Sequence, residues 1–169
     1  MKNAIIIHGM PSKEEFEQLQ GAQRHTGHWQ PWLKNELEKQ GITAVIPEFP
    51  VPYEPDYKAW SEVLNQYPIS ENTILVGHSC GGGFLIRWLS ENKVRVGKVA
   101  LVAPWTDPNN KFAPKMFAGM EIDPSLVERT DGTKLFISLD DDIEIQETAK
   151  QLNESLSDLR VQEFTDKGH

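Results

Sequence analysis

Cysteine is almost missing from this chain. Cys80 stands alone among 169 residues, so no internal disulfide can form, and such usage fits a reducing compartment. Nothing approaches the roughly 18 consecutive apolar residues of a membrane span. The first apolar run, Ala4 to Ile7, is too short for the core of a signal peptide. The expectation is therefore a soluble cytoplasmic protein. Positive charge is also scarce: 17 Lys and Arg against 25 Asp and Glu leave a formal charge of −8. Such a chain repels phosphate backbones and anionic lipid, which argues against nucleic-acid and membrane partners. There are no repeats and no low-complexity tracts. With 38% hydrophobic and 25% charged residues, the composition excludes disordered, collagenous and coiled-coil chains. A chain of this length buries one core. We read residues 1–169 as a single domain, with 104–130 as a short lid-like insertion.

What is present alternates between two periodicities. Ala4 to Ile7 is a β-branched run closed by His8-Gly9 and reads as a buried strand. Residues 10–28 read as a long loop, a length that is often functional. Trp29, Trp32, Leu33 and Leu37 recur at helical spacing, with Pro31 in the first turn and Gly41 past the end. Ile42 to Ile46 is the next strand, stopped by Pro47; four prolines between 47 and 55 forbid a regular element. Trp60, Val63, Leu64 and Tyr67 mark a helix, Thr73 to Val76 a strand, and Phe84, Leu85, Trp88 and Leu89 a helix. Val99 to Ala103 is a strand, and 104–131 is irregular. Lys134 to Ser138, the stripe of Ile145, Ala149, Leu152 and Leu156, and Arg160 to Phe164 complete the order as strand, helix, strand. Strands separated by helices imply right-handed crossovers. The fold class is α/β: a three-layer sandwich with an approximately six-stranded parallel sheet and helices on both faces. Ligands bind such sheets beyond the carboxyl ends of the strands.

The chemistry-bearing residues cluster at those ends. Gly77-His78-Ser79-Cys80-Gly81 is a G-x-S-x-G segment between an apolar strand and a helix. That context suits a serine held on a sharp, strained turn with its hydroxyl above the sheet. Chance supplies roughly 0.05 such matches in a chain this long, and a Gly-rich turn with a stray serine is the bland reading. A P-loop is excluded because no Lys-Ser/Thr follows the glycines. Ser138-Leu139-Asp140-Asp141-Asp142 follows the fifth strand, and Asp166-Lys167-Gly168-His169 follows the sixth. Serine, then acid, then histidine is the chain order of α/β-hydrolases. His169 is the candidate base and one of the aspartates its orienting acid. The plainer readings are an exposed terminal histidine, and an acidic turn or helix N-cap. A metal held by the three carboxylates lacks further ligands. His8-Gly9-Met10 follows the first strand, either as a simple strand stop or as a loop at the substrate. In the second reading the Met10 N–H joins the Cys80 N–H as oxyanion donor. His78 reads as packed within the elbow and Cys80 as buried and inert. His25 and His28 have a loose metal-like spacing, but a solvated loop is the simpler reading. Trp105, Phe112, Met116, Phe117 and Met120 either patch the core or wall a shallow acyl pocket, with Trp105 the first choice as substrate contact.

On these segments the sequence resembles the YdeN-like and retinoblastoma-binding-protein-type small serine hydrolases of the α/β-hydrolase superfamily. The matching pieces are Ile6-Ile7-His8-Gly9, Trp29-Gln30-Pro31-Trp32-Leu33, Val76 to Gly81, Val99 to Pro104, Ser138 to Asp141, and Phe164 to His169. The resemblance implies a compact hydrolase with a minimal lid and no cofactor or metal. It assigns Ser79 as nucleophile, Asp141 as triad acid with Asp140 the fallback, and His169 as base. It implies hydrolysis of a small carboxylic ester, thioester or amide. The alternative it carries is a non-catalytic protein-interaction module on the same fold, with a protein partner or a homodimer. Members of that family continue past the catalytic histidine into a closing helix, whereas these 169 residues end on it; a base at a true chain end would fray.

Overall fold

A computed structural model describes residues 2–18 and 29–169. The elements, in chain order, are β1 (Asn3–Ile7), α1 (Lys13–Gln18), α2 (Gln30–Lys39), β2 (Thr43–Val45), α3 (Tyr57–Leu64), β3 (Thr73–His78), α4 (Cys80–Asn92), β4 (Val99–Val102), α5 (Pro114–Phe117), β5 (Thr133–Ser138), α6 (Ile143–Ser155) and β6 (Arg160–Phe164). A short 3-10 turn, Val127–Arg129, precedes β5. The six strands form one sheet in the order β2-β1-β3-β4-β5-β6, and every pair is parallel. The chain moves outward from β1 to β2, then crosses back and proceeds from β3 to β6. Right-handed crossovers in opposite directions put helices on both faces, which is why Ile5, Ile6 and Ile7 of β1 are all fully buried. The reversal lies between β1 and β3, and a crevice opens where the strand order reverses. His8 and Ser79 leave the sheet there.

Local chemistry sets several boundaries. The N-cap of α3 is Asp56, whose carboxylate accepts the Ala59 N–H at 2.9 Å. That helix stops at Leu64, so Tyr67 falls in the turn beyond it rather than in the helix. Ala103 adopts a φ of 42°, which ends β4 one residue early. The expected loop over 10–28 is corrected in its described part, because α1 forms there. Its start is a reciprocal cap: the Ser12 N–H donates to Glu15 Oε2 at 2.8 Å, and the Glu15 N–H donates to Ser12 Oγ at 3.1 Å. His25 and His28 lie outside the described residues. Beneath the β1/β3 edge, Trp60 and Phe84 are fully buried with Phe49 tilted against Trp60 at 4.5 Å between ring centres. This aromatic layer carries the His8 ring, 5.5 Å from Trp60 and 5.6 Å from Phe49.

Candidate active site

Ser79 stands at the end of β3, one residue before α4, with φ 51° and ψ −123°. A non-glycine residue held in that region costs about 1–3 kcal/mol and needs surroundings that enforce it. They are close-packed. A Cβ at Gly81 would meet the His8 carbonyl oxygen at 2.4 Å, and one at Gly77 would meet the Gly81 carbonyl oxygen at 2.6 Å. Only glycine lets α4 start so close to β1. The Ser79 carbonyl accepts N–H groups from Gly82 at 2.9 Å, Gly83 at 3.1 Å and Trp105 at 3.0 Å, while its own N–H donates to the Val102 carbonyl at 3.0 Å. The backbone of the turn is fully tied down, and the hydroxyl is left to the cleft.

Three side chains from three loops meet at that hydroxyl. His169 Nε2 lies 3.0 Å from Ser79 Oγ. Its Nδ1 lies 3.1 Å and 3.2 Å from the two oxygens of Asp141. The Asp141 side chain is wholly covered, whereas that of His169 is 37% exposed. A carboxylate can only accept here, so Nδ1 carries the hydrogen and Nε2 offers its lone pair to the serine. Asp141, rather than Asp140, therefore faces the imidazole. Asp140 accepts instead from Ser138 Oγ and from the Gly168 N–H at 3.0 Å. These bonds, the Ser138 hydroxyl foremost, hold its carboxyl below the usual carboxylate range. Asp142 is the N-cap residue of α6 and makes no side-chain cap bond. The three aspartates diverge and share no ligand position. Among the described residues no group of three His, Cys, Asp or Glu side chains converges on a metal site.

Among the described residues no carbonyl takes up the N–H of Met10 or of Cys80; Cys80 follows the serine in the chain, and Met10 lines the same cleft. The Cys80 side chain is fully buried, which pushes its thiol well above the ordinary range. His8 Nδ1 donates to the Gly9 carbonyl at 2.8 Å. The His78 ring lies 5.0 Å from that of His169, tilted by 34°.

A cleft of about 380 Å³ opens over Ser79, floored by His8, Gly9, His78 and His169. Its walls are Met10, Pro11 and Phe16 from the β1 side and Glu48, Phe49 and Pro52 from the segment after β2. Trp105 is not among them, and that expectation is corrected. The residue is 7% exposed, and its indole N–H donates to Glu144 Oε2 at 2.8 Å. Met116 and Phe117 are buried beside it. The reason is Asp107, a buried carboxylate that accepts the N–H groups of Lys111, Phe112 and Ala113 at 3.0, 2.9 and 2.7 Å. It folds the segment after β4 down onto α4 and α6, so Trp105, Met116 and Phe117 patch the core, Phe112 stays exposed, and none of them lines the cleft at Ser79. Sequence reasoning missed the true walls. The proline-rich stretch after β2 sits at a strand's carboxyl end, and that position was the available signal. Gln30, buried in the cleft wall at 3% exposure, stood in the sequence only within the Trp29 to Leu33 piece of the resemblance, with nothing to mark it as a wall.

A family model described as serine hydrolase matches residues 19–169. The chain belongs to the serine hydrolase family. The YdeN protein of Bacillus subtilis (strain 168) is 28% identical to this serine hydrolase over 174 residues, covering 99% of this chain and 85% of YdeN. The crystal structure of the ydeN gene product from B. subtilis matches with a TM-score of 0.79 at 26% identity, covering all of this chain and 88% of that one. FphF of Staphylococcus aureus, a fluorophosphonate-binding serine hydrolase solved with substrate bound, matches with a TM-score of 0.60 at 12% identity, over all of this chain and 77% of its own. That last likeness speaks for the α/β-hydrolase fold alone. No helix among the described residues is long and apolar enough to cross a membrane.

Proposed function

We propose that this serine hydrolase cleaves small carboxylic esters through an acyl-enzyme on Ser79. The observation that carries the reading is the unbroken line from Asp141 through His169 to Ser79, with contacts of 3.1 Å and 3.0 Å. His169 Nε2 takes the Ser79 proton as Oγ bonds to the acyl carbon, and Asp141 holds the imidazolium that results. The carbonyl oxygen becomes an oxyanion and accepts hydrogen bonds from the N–H groups of Cys80 and Met10, with the positive end of α4 behind Cys80. His169 then gives its proton to the departing alkoxide. Water, deprotonated by the same nitrogen, attacks the acyl carbon; the acyl–Oγ bond then breaks as His169 returns that proton to Ser79, and the acid leaves. His8 and Gly9 lie under the bound ester. The reading needs no metal or cofactor, because the serine, the base and the donors all come from the chain.

The test is Ser79→Ala. Alanine leaves the packed turn in place, so the variant folds with wild-type thermal stability. Its hydrolysis of p-nitrophenyl acetate falls by about 10³-fold or more, since triad members act as a unit. A fluorophosphonate probe labels the wild type and not the variant. Retained turnover in the purified variant would end the proposal.

A further inference from the structure

The triad leaves Ser138 and Asp140 without a part, although both are hydrogen-bonded to the backbone of the histidine loop. Ser138 is buried at 3% exposure. Its Oγ accepts the Lys167 N–H at 2.9 Å and donates to Asp140 Oδ1. The same carboxylate oxygen accepts the Gly168 N–H at 3.0 Å. Two consecutive backbone amides, the last before His169, are thus fastened to two side chains of the loop that also supplies Asp141. Gly168 takes a φ of 57°, a left-handed conformation that glycine adopts without strain. That conformation sets the direction in which the chain leaves the two clamped amides toward His169. Above them the Leu139 N–H donates to the Phe164 carbonyl at 2.8 Å, the last rung joining β5 to β6. Beyond that rung, the histidine loop is held on this side by the clamp and by the His169–Asp141 contact itself. From behind, Gln146 of α6 donates Nε2 to the Leu139 carbonyl at 2.7 Å and fixes the loop from which the clamp reaches.

We propose that Ser138 and Asp140 are positioning residues for His169: they grip the backbone at Lys167 and Gly168 and so fix the imidazole between Asp141 and Ser79. The inference rests on His169 acting as the base. What the clamp requires at position 140 is an acceptor oxygen on a short side chain. What the triad requires at 141 is a charge against the imidazolium. An amide satisfies the first demand and fails the second, so the same Asp→Asn change separates adjacent residues by role.

The experiment compares Asp140→Ala, Asp140→Asn, Ser138→Ala and Asp141→Asn in the full chain. It uses p-nitrophenyl acetate kinetics, thermal melting, and amide hydrogen exchange at Lys167 and Gly168. Asp140→Ala is expected to lower kcat by about 10²-fold with KM little changed, the scale of a 1 Å misplacement. It melts as the wild type does, and its two amides exchange roughly 10-fold faster. Asp140→Asn keeps about a third or more of wild-type kcat and restores slow exchange. Ser138→Ala repeats the alanine effect and serves if Asp140→Ala does not fold. Asp140→Ala with wild-type kcat and slow amides overturns the proposal, as does Asp140→Asn as slow as Asp140→Ala. The exchange readout needs no turnover. If Ser79 proves not to be the nucleophile, Ser79→Ala retains turnover while the exchange pattern still reports on the clamp.

Discussion

At the scale of single residues, the decisive feature is that three adjacent aspartates do three different things. Asp141 is covered and faces His169, Asp140 is drawn to the Gly168 amide, and Asp142 begins α6 without a side-chain cap bond. Burial of the middle carboxylate ties its effect on the imidazole to charge, because little water screens it. Asp141→Asn offers the imidazole an amide that favours the wrong tautomer, and comparable triads then lose about 10⁴ in turnover. Asp142→Asn touches neither the histidine nor its loop and stays within about 3-fold of wild type, the range of a neutral surface change. Ranking kcat for these two variants and the pair at position 140 checks the assignment. A deeper loss at 142 than at 141 refutes it. The residue pattern Ser-x-Asp-Asp was legible in the sequence as a candidate acid loop, but the division of labour within it was not. It depends on which oxygen meets a loop 28 residues away, and no local periodicity encodes that.

At the scale of elements, strands and helices were legible wherever a periodicity ran for several residues. β1, β5, α4 and α6 fall where apolar runs and stripes put them, and β6 spans Arg160–Phe164 as expected with all five residues exposed. Where the chain is irregular, pattern reading failed, because structure there is fixed by side-chain to backbone bonds. The segment after β4 is the clearest case. Its apolar residues fit a pocket wall as well as a core patch, and Asp107 decides between them. A carboxylate with three backbone N–H donors in a buried turn replaces the ladder that a strand or helix would supply. Asp107→Ala leaves those donors without their partner, and hydrogen bonds to a charged group contribute about 1.5–3 kcal/mol each, with partial replacement by water. We expect a stability loss of about 3 kcal/mol, read as a lower urea midpoint with an unchanged slope. Because the Trp105 N–H also supports the Ser79 carbonyl, the same variant lowers kcat in buffer. A wild-type midpoint would mean that the apolar packing of Met116 and Phe117 alone holds the segment. The α1 helix shows the same lesson in reverse: Ser12-Lys13-Glu14-Glu15 is a capping box written in the sequence, yet too few apolar positions follow for a periodicity to show.

At the scale of the whole molecule, substrate size follows from which loops border the switch between β1 and β3. With the segment after β4 folded onto the core, the space over Ser79 is bounded by the loop after β1 and the proline-rich turn after β2. The cleft of about 380 Å³ lies near the lower end of the roughly 300–1,000 Å³ of small-molecule sites. Met10, Phe16 and Phe49 give it apolar walls, with Glu48 at the side. A short acyl chain buries its methylenes against those walls and gains up to about 0.8 kcal/mol for each, or roughly 4-fold in kcat/KM per carbon. The gain ends when the chain outgrows the cleft, since further methylenes remain in water. A p-nitrophenyl ester series from two to twelve carbons is therefore expected to rise from acetyl to butyryl and to fall by octanoyl. Phe49→Ala removes a wall and shifts the optimum to longer chains. Its cost is about 3–5 kcal/mol of stability, because Phe49 is 5% exposed and packs on Trp60. The kinetics of that variant must accordingly be read well below its melting temperature. A steady rise through twelve carbons in the wild type would show a continuous apolar groove beyond the cleft, and the short-chain assignment would fall with it.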